Sequence, residues 1–192
     1  MQSPIDTRIA LLGNPVVHSL SPTIFHLLCA ATADRGSYSL VEAQSPFSLR
    51  DIFAILQLRG INVTAPFKAI VCEQVDHCSE RVRTLGVANT IIEQNGHLSA
   101  YNTDVDGILA QLDSTGLDLA QRPTLLLGAG GAASAALYAL KARGASVTIV
   151  NRTAERAKFL SQQYDVPYAL HTNPPAVTLS LIHISEPTRQ YS

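Results

Sequence analysis

Short apolar runs alternate along most of the chain with stretches in which apolar residues recur every third or fourth position. The short runs are typical of buried strands, and the longer period is typical of helices with one apolar face. Up to Tyr101 the pattern predicts, in order, strand 8–12, helix 21–33, strand 38–42, helix 48–58, strand 61–64, helix 66–74, helix 80–85 and strands 89–94 and 97–101. This alternation predicts an α/β fold with a mostly parallel sheet.

Local signals fix some of these boundaries. Ser21 followed by Pro22 predicts a helix start, with Ser21 as the cap and proline at the first helical position. Asn95 and Gly96 are typical of the two-residue turn of a β-hairpin. The strands on either side of this turn are therefore expected to pair antiparallel.

A second unit follows a polar, glycine- and proline-containing stretch at 113–123. Before it, Asp104 is placed to cap a helix over 105–112. After it, the predicted elements are strand 124–127, helix 132–142, strand 146–150 and helix 153–164. The predicted domains are 1–115 and 116–178, with a tail at 179–192.

A glycine turn lies between the predicted strand and helix that open the second unit. Gly128, Gly130 and Ala133 have the spacing G-x-G-x-x-A. The first glycine permits a tight turn, the second leaves room for a pyrophosphate, and the small Ala133 lets the helix pack closely. Together with the flanking strand and helix, this spacing predicts a dinucleotide site. A turn that serves packing alone is the alternative.

The end of the next strand indicates which dinucleotide is bound. NAD sites usually carry a carboxylate there, whereas this chain has Arg152, with Arg156 one turn further on. Guanidinium groups bind a 2′-phosphate well, so NADP is favoured over NAD; solvated arginines are the alternative. The predicted cofactor-binding residues are Gly128, Ala129, Gly130, Gly131, Ala132, Asn151, Arg152, Thr153 and Arg156.

Polar side chains cluster where the predicted strands of the first unit end. The clusters are 18–22, 62–68, 88–90 and 102–104. Ligands of open α/β sheets bind beyond the carboxyl ends of the strands, and this density of hydroxyls and amides suits a small, polyhydroxylated, anionic substrate. Lys68 and Asp104 could form a proton-transfer pair. Helix capping and turn formation are the alternative explanation for single members such as Ser21 and Asn62.

The order and spacing of these clusters resemble the shikimate dehydrogenase family. The matching segments are 13–15, 18–22, 62–68, 102–104, 128–133 and 151–153. The resemblance implies NADP-dependent interconversion of 3-dehydroshikimate and shikimate, by an N-terminal α/β substrate domain and a Rossmann domain with the active site between them. A quinate/shikimate dehydrogenase, which often prefers NAD, and a non-catalytic shikimate-binding fragment are the alternatives.

The resemblance also implies roles for individual residues. Lys68 and Asp104 would be the catalytic pair around the oxygen that becomes a carbonyl, and which of them transfers the proton stays open. Ser19 and Ser21 would hold the substrate carboxylate. The implied substrate-binding residues are Ser19, Ser21, Thr64, Asn89 and Asn102.

Composition excludes several other classes of protein. Hydrophobic residues make up 46% of the chain and the net charge is −1 without a basic block, which excludes a disordered chain and disfavours nucleic-acid or membrane partners. No apolar run approaches a membrane span, and no signal peptide is visible. An odd number of cysteines (Cys29, Cys72 and Cys78) favours a reducing, cytoplasmic setting without a metal site. The expected partners are a small-molecule substrate and, for a full-length protein, a second copy.

The C-terminal part departs from the family pattern after about Tyr164. Family members continue further, so we expect an incomplete Rossmann domain. Residues 179–189 resemble a translated transposase sequencing adapter, which predicts an assembly artefact; a natural tail with a short strand over 178–184 is the alternative. Exposed strand edges and helix faces would then make the chain poorly soluble, with little dehydrogenase activity.

Overall fold

The predicted alternation of strands and helices is confirmed in a computed structural model, which describes residues 6–172. The strands are β1 (Asp6–Gly13), β2 (Arg35–Glu42), β3 (Gly60–Val63), β4 (His77–Cys78), β5 (Thr90–Gln94), β6 (His97–Tyr101), β7 (Pro123–Leu127), β8 (Ser146–Asn151) and β9 (Tyr168–Leu170). The helices are α1 (Ser21–Thr32), α2 (Leu49–Leu56), α3 (Glu80–Leu85), α4 (Asp104–Ser114), α5 (Gly131–Ala142) and α6 (Ala154–Tyr164), with a short 3₁₀ helix at Ile70–Gln74.

The chain divides into two units, the first ending at Thr103 and the second beginning at Asp104. Helix α4 therefore groups with the second unit, whereas the predicted division after residue 115 groups it with the first. The domain bounds 1–115 and 116–178 stay a prediction. The predicted tail at 179–192 and the alternative strand over 178–184 lie outside the described residues.

The first unit is built on a sheet with the strand order β2-β1-β3-β5-β6-β4. Strand β1 pairs parallel with β2 and β3, and β4 pairs parallel with β6. Only β5 runs antiparallel to its neighbours, because the predicted hairpin at Asn95 and Gly96 joins it to β6. The carboxyl ends of β1, β2, β3 and β6 therefore meet the amino end of β5 at one edge of the sheet.

The two faces of this sheet differ in polarity. One face carries the hydrophobic core, in which Ala10 and Leu12 of β1 and Ile61 of β3 are almost completely buried. On the other face the register aligns Leu11 with Asn62, and Asn62 with Thr90 of β5. Polar side chains of neighbouring strands are thus placed side by side on one face.

Helix α1 packs against β2 of this second face. A Cβ atom on Gly36 would lie 2.5 Å from the carbonyl oxygen of Thr7 and 2.8 Å from Cζ of Phe25. Because Gly36 has no side chain, the Phe25 ring lies directly on the strand, where its centroid is 5.5 Å from that of the Tyr38 ring. The position of Tyr38 is therefore set from both sides, by its strand and by α1.

Two local predictions are wrong. Only Ile70–Gln74 of the predicted helix 66–74 is helical, because the Lys68 carbonyl accepts a hydrogen bond from the Ala88 amide at 2.8 Å instead of from a helical neighbour. Ser21 is not a cap: the cap position of α1 is Leu20, whose side chain makes no capping hydrogen bond. Both segments carry predicted site residues.

The second unit contains a parallel sheet with the order β7-β8-β9. Helix α5 follows β7, and most of its residues are buried, including Leu137 and Leu140. Helix α6 joins β8 to β9. The predicted restart of the strand–helix pattern is confirmed, and β9 is an additional strand that the apolar pattern did not predict. Within residues 6–172, no helix has both the length and the apolar character that crossing a membrane requires.

Candidate active site

Ser19 and Ser21 lie side by side at the start of α1. The loop before them is fixed by Glu42, whose carboxylate accepts hydrogen bonds from the amides of Val16 at 2.8 Å and Val17 at 3.3 Å. Ser19 Oγ donates to Ser21 Oγ at 3.0 Å and accepts from the Ser21 amide at 3.2 Å. The predicted serine pair is therefore brought together, with adjacent hydroxyls as a carboxylate site would need.

Thr64 lies at the end of β3 and is tied to the end of β1. Its amide donates to the Leu12 carbonyl at 2.8 Å. A Cβ atom on Gly13 would overlap Thr64 Cγ2 and would lie 2.5 Å from Val16 Cγ1, so glycine is needed for this close approach. The two strand ends thus hold Thr64 next to the loop that leads to Ser19.

Lys68 follows Thr64 in a tight turn and is half-buried. The turn is closed by a hydrogen bond from the Phe67 amide to the Thr64 carbonyl at 3.0 Å, and the Phe67 side chain is only 2% exposed. The Lys68 carbonyl also accepts from Cys72 Sγ at 3.5 Å. The backbone of the predicted catalytic lysine is therefore fixed by contacts with both neighbouring segments.

A chain of side-chain hydrogen bonds connects the strands along this edge. Tyr38 Oη donates to Asn62 Oδ1 at 2.8 Å, and Asn62 Nδ2 donates to Thr90 Oγ1 at 3.4 Å. Thr90 Oγ1 then donates to Asn89 Oδ1 at 3.0 Å, and Asn89 Nδ2 donates to Thr103 Oγ1 at 3.0 Å. The predicted residue Asn89 is thereby joined to residues of four strands or strand ends.

Tyr38 lies outside the polar clusters predicted from the sequence, whereas Thr103 belongs to the cluster 102–104 but has no individual role in the prediction. Burial raises the pKa of Tyr38 above its ordinary range, and a hydrogen bond with Ser21 lowers it in part. The phenol is therefore protonated at neutral pH and available as a donor. Its membership of the site follows from the register that places Tyr38, Asn62 and Thr90 on one face, and the sequence pattern alone does not give this register.

Asn102 differs from the other predicted substrate-binding residues because it is only 3% exposed. Its Nδ2 donates to the Val87 carbonyl at 3.2 Å, and its own carbonyl accepts from Arg81 Nη1 at 3.2 Å. Its Oδ1 is buried and has no hydrogen-bond partner among the described residues. Asn102 thus supports the backbone just before Asn89, and its contact with substrate stays a prediction.

Asp104 is the first residue of α4 and is half-buried. It belongs to the second unit, whereas Lys68 belongs to the first. Their catalytic pairing stays a prediction.

The glycine turn of the second unit joins β7 to α5. Gly128 has a φ angle of +111°, which favours glycine. Gly130 caps α5 without a side-chain hydrogen bond, and a Cβ atom there would meet nothing within 4 Å. Packing within the chain therefore does not require glycine at this position. The open space at the helix N-terminus is where a phosphate group would be bound, which counts against the packing alternative.

The loop between β8 and α6 carries Arg152, and Arg156 lies in the first turn of α6. Asn151 Nδ2 donates to the carbonyl and Oγ1 of Thr153, at 2.9 and 3.1 Å, so that Asn151 shapes the turn. Arg152 and Arg156 are exposed, and neither forms an ion pair with another described residue. Both guanidinium groups are therefore available to an anionic ligand, as a 2′-phosphate site requires.

The cysteines lie outside these clusters and have free thiols. Burial is the main cause that raises the pKa of Cys72 to about 11, so this thiol is protonated at neutral pH. Within residues 6–172, no group of three or more His, Cys, Asp or Glu side chains is arranged to hold a metal ion.

Comparison with known proteins identifies both units. A family model described as the shikimate dehydrogenase substrate-binding domain matches residues 11–91, and one described as shikimate/quinate 5-dehydrogenase matches residues 109–175. A curated NADP(+) shikimate dehydrogenase from Carboxydothermus hydrogenoformans is 36% identical over 156 residues, which cover 80% of this chain and 56% of the relative.

Solved structures agree with these matches. Shikimate 5-dehydrogenase from Thermus thermophilus, solved with NADP(H) and shikimate, has a TM-score of 0.77 at 33% identity, covering 85% of this chain and 62% of that one. Shikimate dehydrogenase from Aquifex aeolicus has a TM-score of 0.79 at 34% identity, covering 88% and 64%. The chain spans 56% and 60% of the length of two curated relatives that it matches. Both of its units belong to the shikimate dehydrogenase family.

Proposed function

We propose that the two units are the substrate- and nucleotide-binding parts of an NADP-dependent dehydrogenase that interconverts 3-dehydroshikimate and shikimate. The observation that carries this proposal is the hydrogen-bonded row of hydroxyl and amide side chains along the same sheet edge as Lys68. An open glycine turn supports the choice of cofactor, together with Arg152 in the loop after β8 and Arg156 in the first turn of α6. Because the chain covers less than two thirds of its relatives, the activity is proposed for the whole protein.

The substrate would be held by groups that match its chemistry. Ser19 and Ser21 present adjacent hydroxyls, 3.0 Å apart, to the carboxylate of shikimate. Thr64 and Asn89 supply a hydroxyl and an amide, and an amide can both donate to and accept from ring hydroxyls. A cyclic acid with several hydroxyls would therefore satisfy these groups, whereas an apolar molecule would leave them without partners.

Lys68 and Asp104 would assist the transfer of a hydride. When bound, NADPH supplies the hydride to the carbonyl carbon of 3-dehydroshikimate. The electron pair of the C=O bond then moves to the oxygen, and the Lys68 ammonium stabilises the growing negative charge. Lys68 or Asp104 provides the proton that completes the new hydroxyl, and the other holds the reacting groups in position. The reverse direction uses the same groups.

The nucleotide would bind at the start of α5. The amides at the helix N-terminus bind the pyrophosphate, for which Gly130 leaves room. Arg152 and Arg156 bind the 2′-phosphate, and Asn151 with Thr153 shapes the loop that carries Arg152 and leads into the helix of Arg156. No carboxylate lies in the segment 151–153, so a 2′-phosphate meets no like charge within it.

Isothermal titration of the 192-residue chain with shikimate tests the substrate assignment. We expect saturable binding that weakens more than about tenfold when Ser19 and Ser21 are both replaced by alanine, since both bonds to the carboxylate are charge-assisted. Ser37→Ala is the control, because Ser37 is exposed on β2 and outside the clusters. Absence of binding by the unchanged chain would contradict the proposed function.

The reaction is tested in a chimera that joins residues 1–172 to the remaining residues of the Thermus thermophilus relative. We expect shikimate-dependent reduction of NADP, and a decrease in kcat of about 10²–10⁴-fold for Lys68→Met. Initial rates with quinate and with NAD distinguish the related activity: preference for quinate and NAD would indicate the quinate/shikimate branch instead.

The cytoplasm and a homodimer are our proposals for location and assembly. An odd number of cysteines and a nucleotide-dependent reaction favour a reducing compartment. Fractionation of source cells tests the location, and sedimentation equilibrium of the chimera tests the dimer. Recovery in a membrane or extracellular fraction, or a monomer at micromolar concentration, would contradict them.

A further inference from the structure

Tyr38 begins the row of side-chain hydrogen bonds that leads to the predicted residue Asn89. Its hydroxyl donates to Asn62 Oδ1, in β3, at 2.8 Å. Asn62 leads in turn through Thr90 to Asn89. Tyr38 therefore connects β2 to a predicted substrate-binding residue within the first unit.

The donors in this row of hydrogen bonds follow one direction. Tyr38 donates to Asn62, Asn62 donates to Thr90, and Thr90 donates to Asn89. Hydrogen bonds arranged in one direction polarise one another and are stronger together than separately. Removal of the phenol hydroxyl would remove the first donor of this row.

The hydroxyl of Tyr38 also determines how the Asn62 amide is oriented. An amide has a carbonyl oxygen that accepts and an NH₂ group that donates, and the two exchange places when the side chain flips. Because Tyr38 donates to Oδ1, the NH₂ group of Asn62 faces Thr90. Without this donor the amide can adopt the flipped orientation, in which Thr90 meets an acceptor.

We infer that Tyr38 is a positioning residue of the substrate site, which through its hydroxyl orients the Asn62 amide and thereby Thr90 and Asn89. The inference rests on the proposed function. The ring is held independently of the hydroxyl, since it packs against Phe25 at a centroid distance of 5.5 Å. Replacement by phenylalanine keeps this packing and removes only the hydrogen bonds.

Titration of shikimate into the 192-residue chain tests the inference with Tyr38→Phe and the matched control Tyr168→Phe. Tyr168 lies in β9, and its hydroxyl forms no hydrogen bond to any described residue. We expect about five- to tenfold weaker binding for Tyr38→Phe and no change for the control. In the chimera, KM should rise with little change in kcat, because Tyr38 does not touch the reacting atoms.

A double-variant measurement shows whether Tyr38 acts through Asn62. We expect Tyr38→Phe to weaken binding much less in an Asn62→Ala background than in the unchanged chain, since the orientation of the amide no longer matters there. Fully additive losses would contradict this route. The unchanged chain gives a further measurement: shikimate should shift the ¹³Cζ resonance of Tyr38 and leave that of Tyr168 in place.

The possible failures are distinguishable. If the unchanged chain does not bind shikimate, the proposed function is overturned together with the role of Tyr38. If it binds, and Tyr38→Phe binds equally well, only the inference about Tyr38 is overturned. If Tyr38→Phe does not fold, the ¹³Cζ resonance decides, and a Tyr38 signal that shikimate leaves unchanged overturns the inference.

Discussion

Arg143 and Asp113 form a bidentate ion pair, in which Nε lies 2.7 Å from Oδ1 and Nη2 lies 2.6 Å from Oδ2. Asp113 is in the last turn of α4, and Arg143 directly follows α5. The hydrogen bond from Arg143 lowers the pKa of the Asp113 carboxyl, and Asp113 in turn raises the pKa of Arg143. The pair ties α4 to the second unit, consistent with the division of the chain before Asp104.

Replacement of Arg143 by lysine tests the geometry of this pair. Lysine keeps the charge but lacks the planar fork that bonds both carboxylate oxygens. We expect Arg143→Lys to lower the melting temperature by nearly as much as Arg143→Ala, by a few degrees, as followed by circular dichroism. Arg122→Lys is the control, since Arg122 is exposed and its side chain forms no ion pair with a described residue. A stability of Arg143→Lys equal to that of the unchanged chain would contradict a bidentate role.

Gly13 and Gly107 make a matched pair for testing close approach at the site. A Cβ atom on Gly13 would overlap Thr64 and lie 2.5 Å from Val16 Cγ1, whereas a Cβ atom on Gly107 would meet nothing within 4 Å. We expect Gly13→Ala to lose about 1–3 kcal/mol of unfolding free energy by overpacking. Gly107→Ala, in the middle of α4, should gain up to about 1 kcal/mol from helix propensity. Urea unfolding measures both.

Shikimate affinity adds a second measurement for the same pair. Thr64 must move in Gly13→Ala, so binding should weaken along with stability, while Gly107→Ala should bind as the unchanged chain does. If Gly13→Ala were as stable as the unchanged chain, the close approach of β1 and β3 would not be needed for the fold.

The fold could be predicted from the sequence where one local signal dominates. The hairpin follows from Asn95 and Gly96, which adopt φ angles of +55° and +81° and so form the expected turn. The predicted helix 66–74 shows where local signals are insufficient, because the carbonyl of Lys68 bonds to Ala88, twenty residues further along the chain. No local pattern records such a long-range partner, so apolar spacing predicts a longer helix than the fold allows.

The site was predictable where its residues follow strands and less so where they lie within them. Ser19, Thr64 and Lys68 lie in the segments that follow the carboxyl ends of β1 and β3, which is where ligands of α/β sheets bind. Tyr38 lies inside β2, and its long side chain crosses β1 to reach Asn62 in β3. This contact depends on the strand order β2-β1-β3. Strand order depends on tertiary packing, so the connection between Tyr38 and Asn62 requires the three-dimensional structure.

Asp76 should make the unfolding free energy of the first unit decrease as the pH falls into the acidic range. Its Oδ2 accepts from the Leu98 amide at 2.7 Å, and its Oδ1 lies 2.5 Å from Arg50 Nη2. The hydrogen bond from Leu98, followed by the charges of Arg50 and His97, lowers the pKa of the Asp76 carboxyl. A lowered pKa in the folded state stabilises the protein above the unfolded-state pKa of about 4, and this contribution is lost as the pH falls through the folded-state pKa.

Asp76→Asn should therefore reduce stability near neutral pH and flatten the decline in acid. Urea midpoints between neutral pH and pH values below about 4 measure both effects. Glu73→Gln is the control, because Glu73 is exposed on the 3₁₀ helix and accepts no hydrogen bond from a described residue. An equally steep acid decline in Asp76→Asn would show that other carboxyls govern it.

The exposed arginines after β8 should determine whether the nucleotide unit binds a 2′-phosphate, if the proposed function holds. Replacement of both Arg152 and Arg156 by alanine should weaken binding of adenosine 2′,5′-bisphosphate more than about tenfold, because charge-assisted hydrogen bonds are lost. Binding of 5′-AMP, which lacks the 2′-phosphate, should not change. Lys158→Ala is the control, since Lys158 is exposed on α6, as Arg156 is, and is not among the predicted cofactor-binding residues. Equal losses for both nucleotides would mean that the arginines bind the 5′-phosphate, or support the loop, and do not select NADP.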